Sequence, residues 1–167
     1  MINQVFYPDI AATAQHADDL SRSLVASGHE VTIIASRSFY GQKGAALPSY
    51  EEIGKVKVHR VGRSFFGKSS ILARLFDFGY FYLAAVLKAL MLRRHDVSIC
   101  FTTPPFISLL GWLLRSVKGT KMVYWVMDLY PDVPVACGVM REGAFITKCF
   151  ESINRFCLRK SDAVVAL

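Results

Sequence analysis

The stretch DVSICFTTPPFISLLGWLLRSVKGTKMVYWVMDLYPDV, residues 96–133, decides the fold. Its runs Val97–Phe101 and Met122–Val126 are apolar but for Ser98, with no regular polar alternation. Runs of this kind mark strands covered on both faces, the environment of a parallel sheet. Pro104 and Pro105 end the first run because neither can donate to a strand ladder. Ile107–Val117 between them reads as the connecting helix, so the stretch is one strand–helix–strand unit.

The same alternation continues in both directions. Downstream, helix Ala144–Leu158 leads to a strand at Ala163–Leu167, in which the chain ends. Upstream lies a long helix, Ser70–Arg94, with apolar positions at spacings of three and four and Arg93, Arg94 and His95 at its end. Before it, Val56–Val61 alternates imperfectly, as a strand near a sheet edge does. Ser36–Lys55 is polar and reads as a mobile surface loop. Val31–Ala35 is a compact strand, and Val5–Tyr7 closes a short opening strand. Between these two, Pro8 and Asp9 turn the chain into a helix capped by Thr13, with Asp18 and Asp19 near its positive end and Gly28 after its last turn. The expectation is one α/β domain over residues 1–167: Rossmann-like, doubly wound, with a mainly parallel sheet.

Composition agrees with a single packed core. Of 167 residues, 53% are apolar and 13% aromatic, with no repeat and no low-complexity segment. Cys100, Cys137, Cys149 and Cys157 form no CxxC pair and have no metal-ligand spacing, which implies a reducing, cytoplasmic setting without bound metal. Cys149, Ile153 and Cys157 share one helix stripe and read as core. The net charge of +7 implies an anionic partner without choosing among lipid headgroups, nucleotide phosphates and nucleic acid. Nucleic acid rests on charge alone and is not expected. The apolar segment Ile71–Leu92 is interrupted by Arg74, Asp77 and Lys88, so it reads as a buried or interfacial helix rather than a span.

In a doubly wound sheet, ligands gather at the carboxyl ends of the strands. Three loops qualify: Pro8–Thr13, Thr102–Pro105 and Asp128–Asp132. In the first, Asp9, Ala11, Ala12 and Thr13 precede a helix start, where small residues let a ligand approach backbone N–H groups and the dipole favours an anion. His16 stands one turn on and can bind or protonate a substrate, although a hydrogen-bonded surface histidine explains it equally simply. The second loop offers Thr102 and Thr103. The third offers Asp128, Tyr130 and Asp132, two acids four residues apart that can orient hydroxyls or act as a base. A rival stands at Gly62–Ser69, GRSFFGKS, which matches the phosphate-loop pattern between a strand and a helix. Phe65 and Phe66 are bulky where a backbone wrapped round phosphate prefers glycine, which weakens that nucleotide-binding alternative. No GxGxxG follows the first strand, so a dinucleotide oxidoreductase is disfavoured.

Taken in order, FYPDIAATAQHADDL, GHEVTIIASR, VKVHRV with KSSILARLFDF, CFTTPPFISLLG, KMVYWVMDLYPDV and RKSDAVVAL resemble the amino-terminal domain of family-four retaining glycosyltransferases, in particular bacterial enzymes of surface-polysaccharide assembly. The resemblance implies the acceptor-side half of a GT-B fold, with no cofactor beyond a nucleotide sugar as donor substrate. It further implies a saccharide or lipid-linked acceptor, an anionic surface on the inner face of the cell membrane, and a carboxyl-terminal domain missing from this chain, without which the chain is expected to be inactive. Where the family often carries a glycine pair, this chain has Ala11 and Ala12. Where many members carry a histidine, it has Met127, which leaves Asp128 as the expected catalytic participant. Asp9, Ala11, Ala12, Thr13, His16, Thr102, Thr103, Tyr130 and Asp132 are the expected substrate-binding positions. A non-catalytic membrane-surface module is the other alternative.

Overall fold

A computed structural model describes residues 1–40, 47–66 and 71–166. Contacts group the chain into two compact units, Met1–Arg93 and Arg94–Leu167.

The first unit opens with an extended segment running parallel to β1 (Thr32–Ser36). Asn3 N–H donates to the Ile34 carbonyl at 3.2 Å, Ile34 N–H to Met1 at 3.0 Å and Ser36 N–H to Gln4 at 2.8 Å. The pairing therefore involves the first four residues, not Val5–Tyr7 as expected. The Asn3 side-chain amide donates to the carbonyls of Val5 and Thr13 at 2.8 and 3.2 Å, which turns the chain out of the ladder. α1 (Ala12–Ala26) follows, with Ala11 at its N-cap and no side-chain cap. Thr13 lies inside the helix and is not its cap. Asp18 and Asp19 lie beyond the first turn, where the dipole has faded, and Asp18 instead pairs with Arg22 at 2.9 Å.

The expected loop Ser36–Lys55 contains a strand, β2 (Tyr50–Ile53), while its residues 41–46 lie outside the described part. β2 returns into β3 (Val56–Val61) through Gly54 and Lys55, both at positive φ, the conformation a two-residue hairpin demands. β3 consequently lies between β1 and β2, parallel to one and antiparallel to the other, rather than at an edge. β2 escaped the sequence because YEEI is polar and only every second residue is half-buried. α2 (Ile71–Met91) packs on β1 and β3 through Phe81, Ala85 and Ala89, whose four-residue spacing lines one helix face. The fully buried Phe81 contributes on the order of 3–5 kcal/mol against truncation to Ala.

The second unit is wholly parallel, with β4 (Val97–Cys100), β5 (Lys121–Val126) and β6 (Ala163–Ala166) in the order β4-β5-β6. α3 (Ser108–Lys118) joins β4 to β5; a short α4 (Asp132–Ala136), not foreseen, and α5 (Phe145–Lys160) join β5 to β6. Met122, Tyr124, Val126 and Cys157 form the core, packed by Trp112, Ile153 and Phe156. α3 lies so close to β4 that a Cβ built on Gly111 would come within 2.6 Å of Cys100 Sγ. Gly119, at φ +65, caps α3 in the left-handed conformation. All four cysteines are free; Cys157 and Cys100 are buried, but Cys149 is only half-buried and Cys137 exposed. Burial pushes the Cys100 thiol up to about 12. The α/β, Rossmann-like architecture expected from the strand runs is present. Among the described residues, no helix is long and apolar enough to cross a membrane.

Candidate functional site

Because β4 and β5 run parallel, their following loops emerge at the same end of the second unit's sheet. Thr102, 1% exposed, donates from Oγ1 to Asp128 Oδ2 at 3.1 Å. Asp128 is half-buried, so one carboxylate oxygen is engaged while the carboxyl group still borders solvent. That arrangement suits accepting a hydroxyl proton or orienting a hydroxyl. Phe101, just after β4, stacks on Trp125 of β5 with ring centroids 5.2 Å apart.

Tyr130 is brought to the same edge, its ring 5.9 Å from Phe106, which in turn meets Phe150 edge-on at 4.8 Å. Phe106 holds φ +64, a left-handed conformation that costs a non-glycine residue about 1 kcal/mol or more. The two aromatic contacts offset this, and the sequence carries no sign of it. Thr103 is half-buried beside Thr102. Asp132 stands exposed in the first turn of α4, so it belongs to the rim rather than to the Thr102–Asp128 pair.

In the first unit the loops after the opening segment, β1 and β3 also share one end. Asp9 joins them: Oδ1 accepts from Ala11 N–H at 3.0 Å and Oδ2 from Tyr40 N–H at 2.6 Å. Both oxygens of Asp9 therefore hold backbone, which makes it a positioning residue for the loop. Ala11 is half-buried and Ala12 exposed at the start of α1, and His16 is half-buried one turn on. Arg60, 2% exposed, pairs with Glu51 at 2.7 Å and donates to the Tyr7 carbonyl, anchoring the loop from beneath. Sequence reading missed Arg60, yet the period of two in VKVHRV places it on the inward face with Val56 and Val58.

The Gly62–Ser69 loop is described as far as Phe66; Lys68 and Ser69 lie outside the described residues. Its donors converge on a carboxylate. Ser64 Oγ and the N–H groups of Phe65 and Phe66 all bond to Asp77, which is 6% exposed. A phosphate cradle needs such N–H groups aimed at its ligand; here α2 supplies the anion from within the chain. The described part of the loop, as far as Phe66, thus spends its donors on Asp77. Asp77, also missed, lies four residues before Phe81 on the inward stripe of α2. A cavity of about 40 Å³ opens beside this turn, lined by Ser36, Ser38, Arg74 and Asp77 together with apolar Val5 and Phe78. It has room for water rather than for a sugar ring.

Among the described residues, no cluster of His, Cys, Asp and Glu is arranged to hold a metal ion. A family model described as a glycosyl transferase 4-like domain matches residues 12–167. No curated protein matches the chain.

Proposed function

Since the chain belongs to the glycosyl transferase 4-like family, we propose that it is the acceptor-binding half of a retaining GT-B enzyme of polysaccharide assembly, and that Asp128 is its catalytic participant. The observation that carries this is the Thr102–Asp128 pair at the carboxyl edge of a parallel sheet, where ligands of such sheets bind. Thr102 holds the carboxylate in place, and the second oxygen is left to meet an acceptor hydroxyl. Thr103, Tyr130 and the more peripheral Asp132 supply the surrounding polar rim. Within the first unit, Asp9 and Arg60 shape the loop that carries Ala11, Ala12, Thr13 and His16, the substrate-binding positions of that unit in this reading.

The donor in this reading is a nucleotide sugar and the acceptor a saccharide, lipid-linked, so that an anionic membrane surface is a further partner and the setting is the inner face of the cell membrane. No cofactor takes part. A second, donor-holding domain completes the cleft and supplies the groups that neutralise the leaving diphosphate. The test is sugar transfer from radiolabelled nucleotide sugars to a saccharide panel. The chain by itself is expected to give no product, and Asp128→Asn in an enzyme carrying both domains is expected to lose about a hundredfold or more in kcat. Turnover by the chain alone, or an unchanged rate in the Asp128→Asn enzyme, contradicts the reading.

A further inference from the structure

α2 has two apolar faces, and only one is used. Asp77, Phe81, Ala85 and Ala89, at most 6% exposed, turn inward. On the opposite side Leu72, Phe76, Leu83, Leu87 and Met91 recur every four or seven residues and are 55 to 83% exposed. Side chains at these spacings form one continuous stripe. An uninterrupted apolar stripe of this length is rare on a surface that meets only water.

The turn before α2 extends the stripe. The hold of Asp77 on Ser64, Phe65 and Phe66 directs both phenylalanine rings outward, where each is at least 40% exposed. Phe65 lies 5.3 Å from Tyr80 and 6.3 Å from Phe76, and Phe66 lies 5.7 Å from Phe76, all as tilted or edge-on pairs. The buried acid thus builds a rigid aromatic cap at one end of the helix. The Arg63 guanidinium rests over the Phe65 ring at 4.8 Å. From Lys55 to Arg93 the chain has eight Lys and Arg residues and a single acid, Asp77, which is buried.

We propose that the outer face of α2, together with the Phe65–Phe66 turn, docks on an anionic lipid bilayer with the helix lying in the interface plane. The proposal rests on the membrane partner named above and gives it a surface. Charge selects the occupant. Leucines and aromatic rings enter the headgroup boundary while the exposed Arg63 and Arg93, before and after the helix, meet anionic headgroups. In a two-fold pairing of this face with a second copy, the same cations would confront one another without a compensating acid. The apolar middle of the stripe offers nothing to a phosphate backbone.

The test is co-sedimentation of the chain with phosphatidylglycerol–phosphatidylcholine vesicles at low salt, beside pure phosphatidylcholine vesicles, with no sugar present. Binding is expected to the anionic vesicles, and to fall at least tenfold in Leu83→Ser/Leu87→Ser and in Phe65→Ser/Phe66→Ser. The leucine pair is exposed, so its circular dichroism and melting curve are expected to match the parent chain. Arg63→Gln/Arg93→Gln is expected to bring anionic vesicles close to the phosphatidylcholine level. If the chain binds vesicles and the apolar variants bind equally, the membrane partner stands and this surface is wrong. If no vesicle is bound, or if the face proves to mediate a dimer that the leucine variant dissolves, the proposal is overturned while the sugar-transfer assay remains an independent matter.

Discussion

Thr102 Oγ1 donates to Asp128 Oδ2 across 3.1 Å, which ties the residue after Phe101 at the end of β4 to the loop after β5. Its donor end is closed to water, since Thr102 is 1% exposed, while Asp128 is half-buried. A hydrogen bond from a buried hydroxyl to a charged acceptor contributes about 1.5–3 kcal/mol. Thr102→Val, nearly isosteric but without the hydroxyl, is expected to lower stability by about that amount in urea unfolding, and Thr102→Ser to lower it by less. Equal stability of the parent chain and Thr102→Val would show that the pair is not held in solution.

Gly111 permits the contact of α3 with β4. A Cβ there would meet Cys100 Sγ at 2.6 Å and Met122 Cγ at 3.2 Å, both on buried side chains. Gly111→Ala is therefore expected to destabilise by about 1–3 kcal/mol despite the better helix propensity of alanine. Cys100→Ala removes the nearest obstructing atom, so the double variant is expected to be more stable than the sum of the two single changes predicts. Strict additivity in thermal melts would place the helix further from the strand than it is here.

Arg60 is the buried cation of the first unit, held by Glu51 at 2.7 Å and by the carbonyls of Tyr7 and Ser36. Removing one partner of a buried pair costs about 3–5 kcal/mol because the other charge is left uncompensated. Glu51 is itself partly exposed, so Glu51→Gln is expected to cost less than Arg60→Leu. Amide exchange at Ala11 and Tyr40, the two donors to Asp9, is expected to quicken in Arg60→Leu as the loop loses its anchor. Unaltered exchange there would sever Arg60 from the loop.

Two titrations set the pH limits. Met122 N–H, and after it Arg115, bond the Asp162 carboxylate and hold it below the ordinary 3.8. A depressed folded-state value means the contribution is complete above pH 3.8 and is lost as pH falls through the lower folded value. Asp162→Asn should thus be less stable than the parent at neutral pH and equal to it in strong acid. At the other limit, burial raises the Tyr124 phenol from 10.0 to about 12. The folded state then retains a proton the unfolded chain has released, so the Tyr124 contribution is full below pH 10 and is lost as pH rises towards 12, beside that of Cys100, whose raised thiol begins to act above its ordinary 9.0. Tyr124→Phe is expected to flatten that alkaline fall, followed by circular dichroism.

Most of the parallel framework was legible, for a physical reason. Apart from Ser98 and Lys121, Val97–Cys100 and Lys121–Val126 are apolar, with every second residue buried and most of the others half-buried, and few other structures leave that trace. β2 was not legible, because an outer strand with one wet face can be as polar as Tyr-Glu-Glu-Ile. Within the candidate site, Asp128 and Thr102 could be named from their place after apolar runs, but their bond could not, since it depends on the register of β4 against β5. Asp77 and Arg60 were hidden by a different cause. Each is a charged residue in an inward position, and besides one side-chain partner apiece, Glu51 and Ser64, each is held by backbone groups of loops distant in sequence, which carry no side-chain signature.

The most direct measurement of the central claim is amide chemical-shift mapping of the chain during titration with saccharide acceptors and, separately, with nucleotide sugars. The account predicts that a saccharide shifts Thr102, Thr103, Asp128 and Tyr130, that Asp128→Asn weakens the response at least tenfold, and that nucleotide sugars leave these amides unmoved. Saturable binding of a nucleotide sugar at Asp128, or saccharide shifts confined to residues away from the β4 and β5 loops, would contradict it.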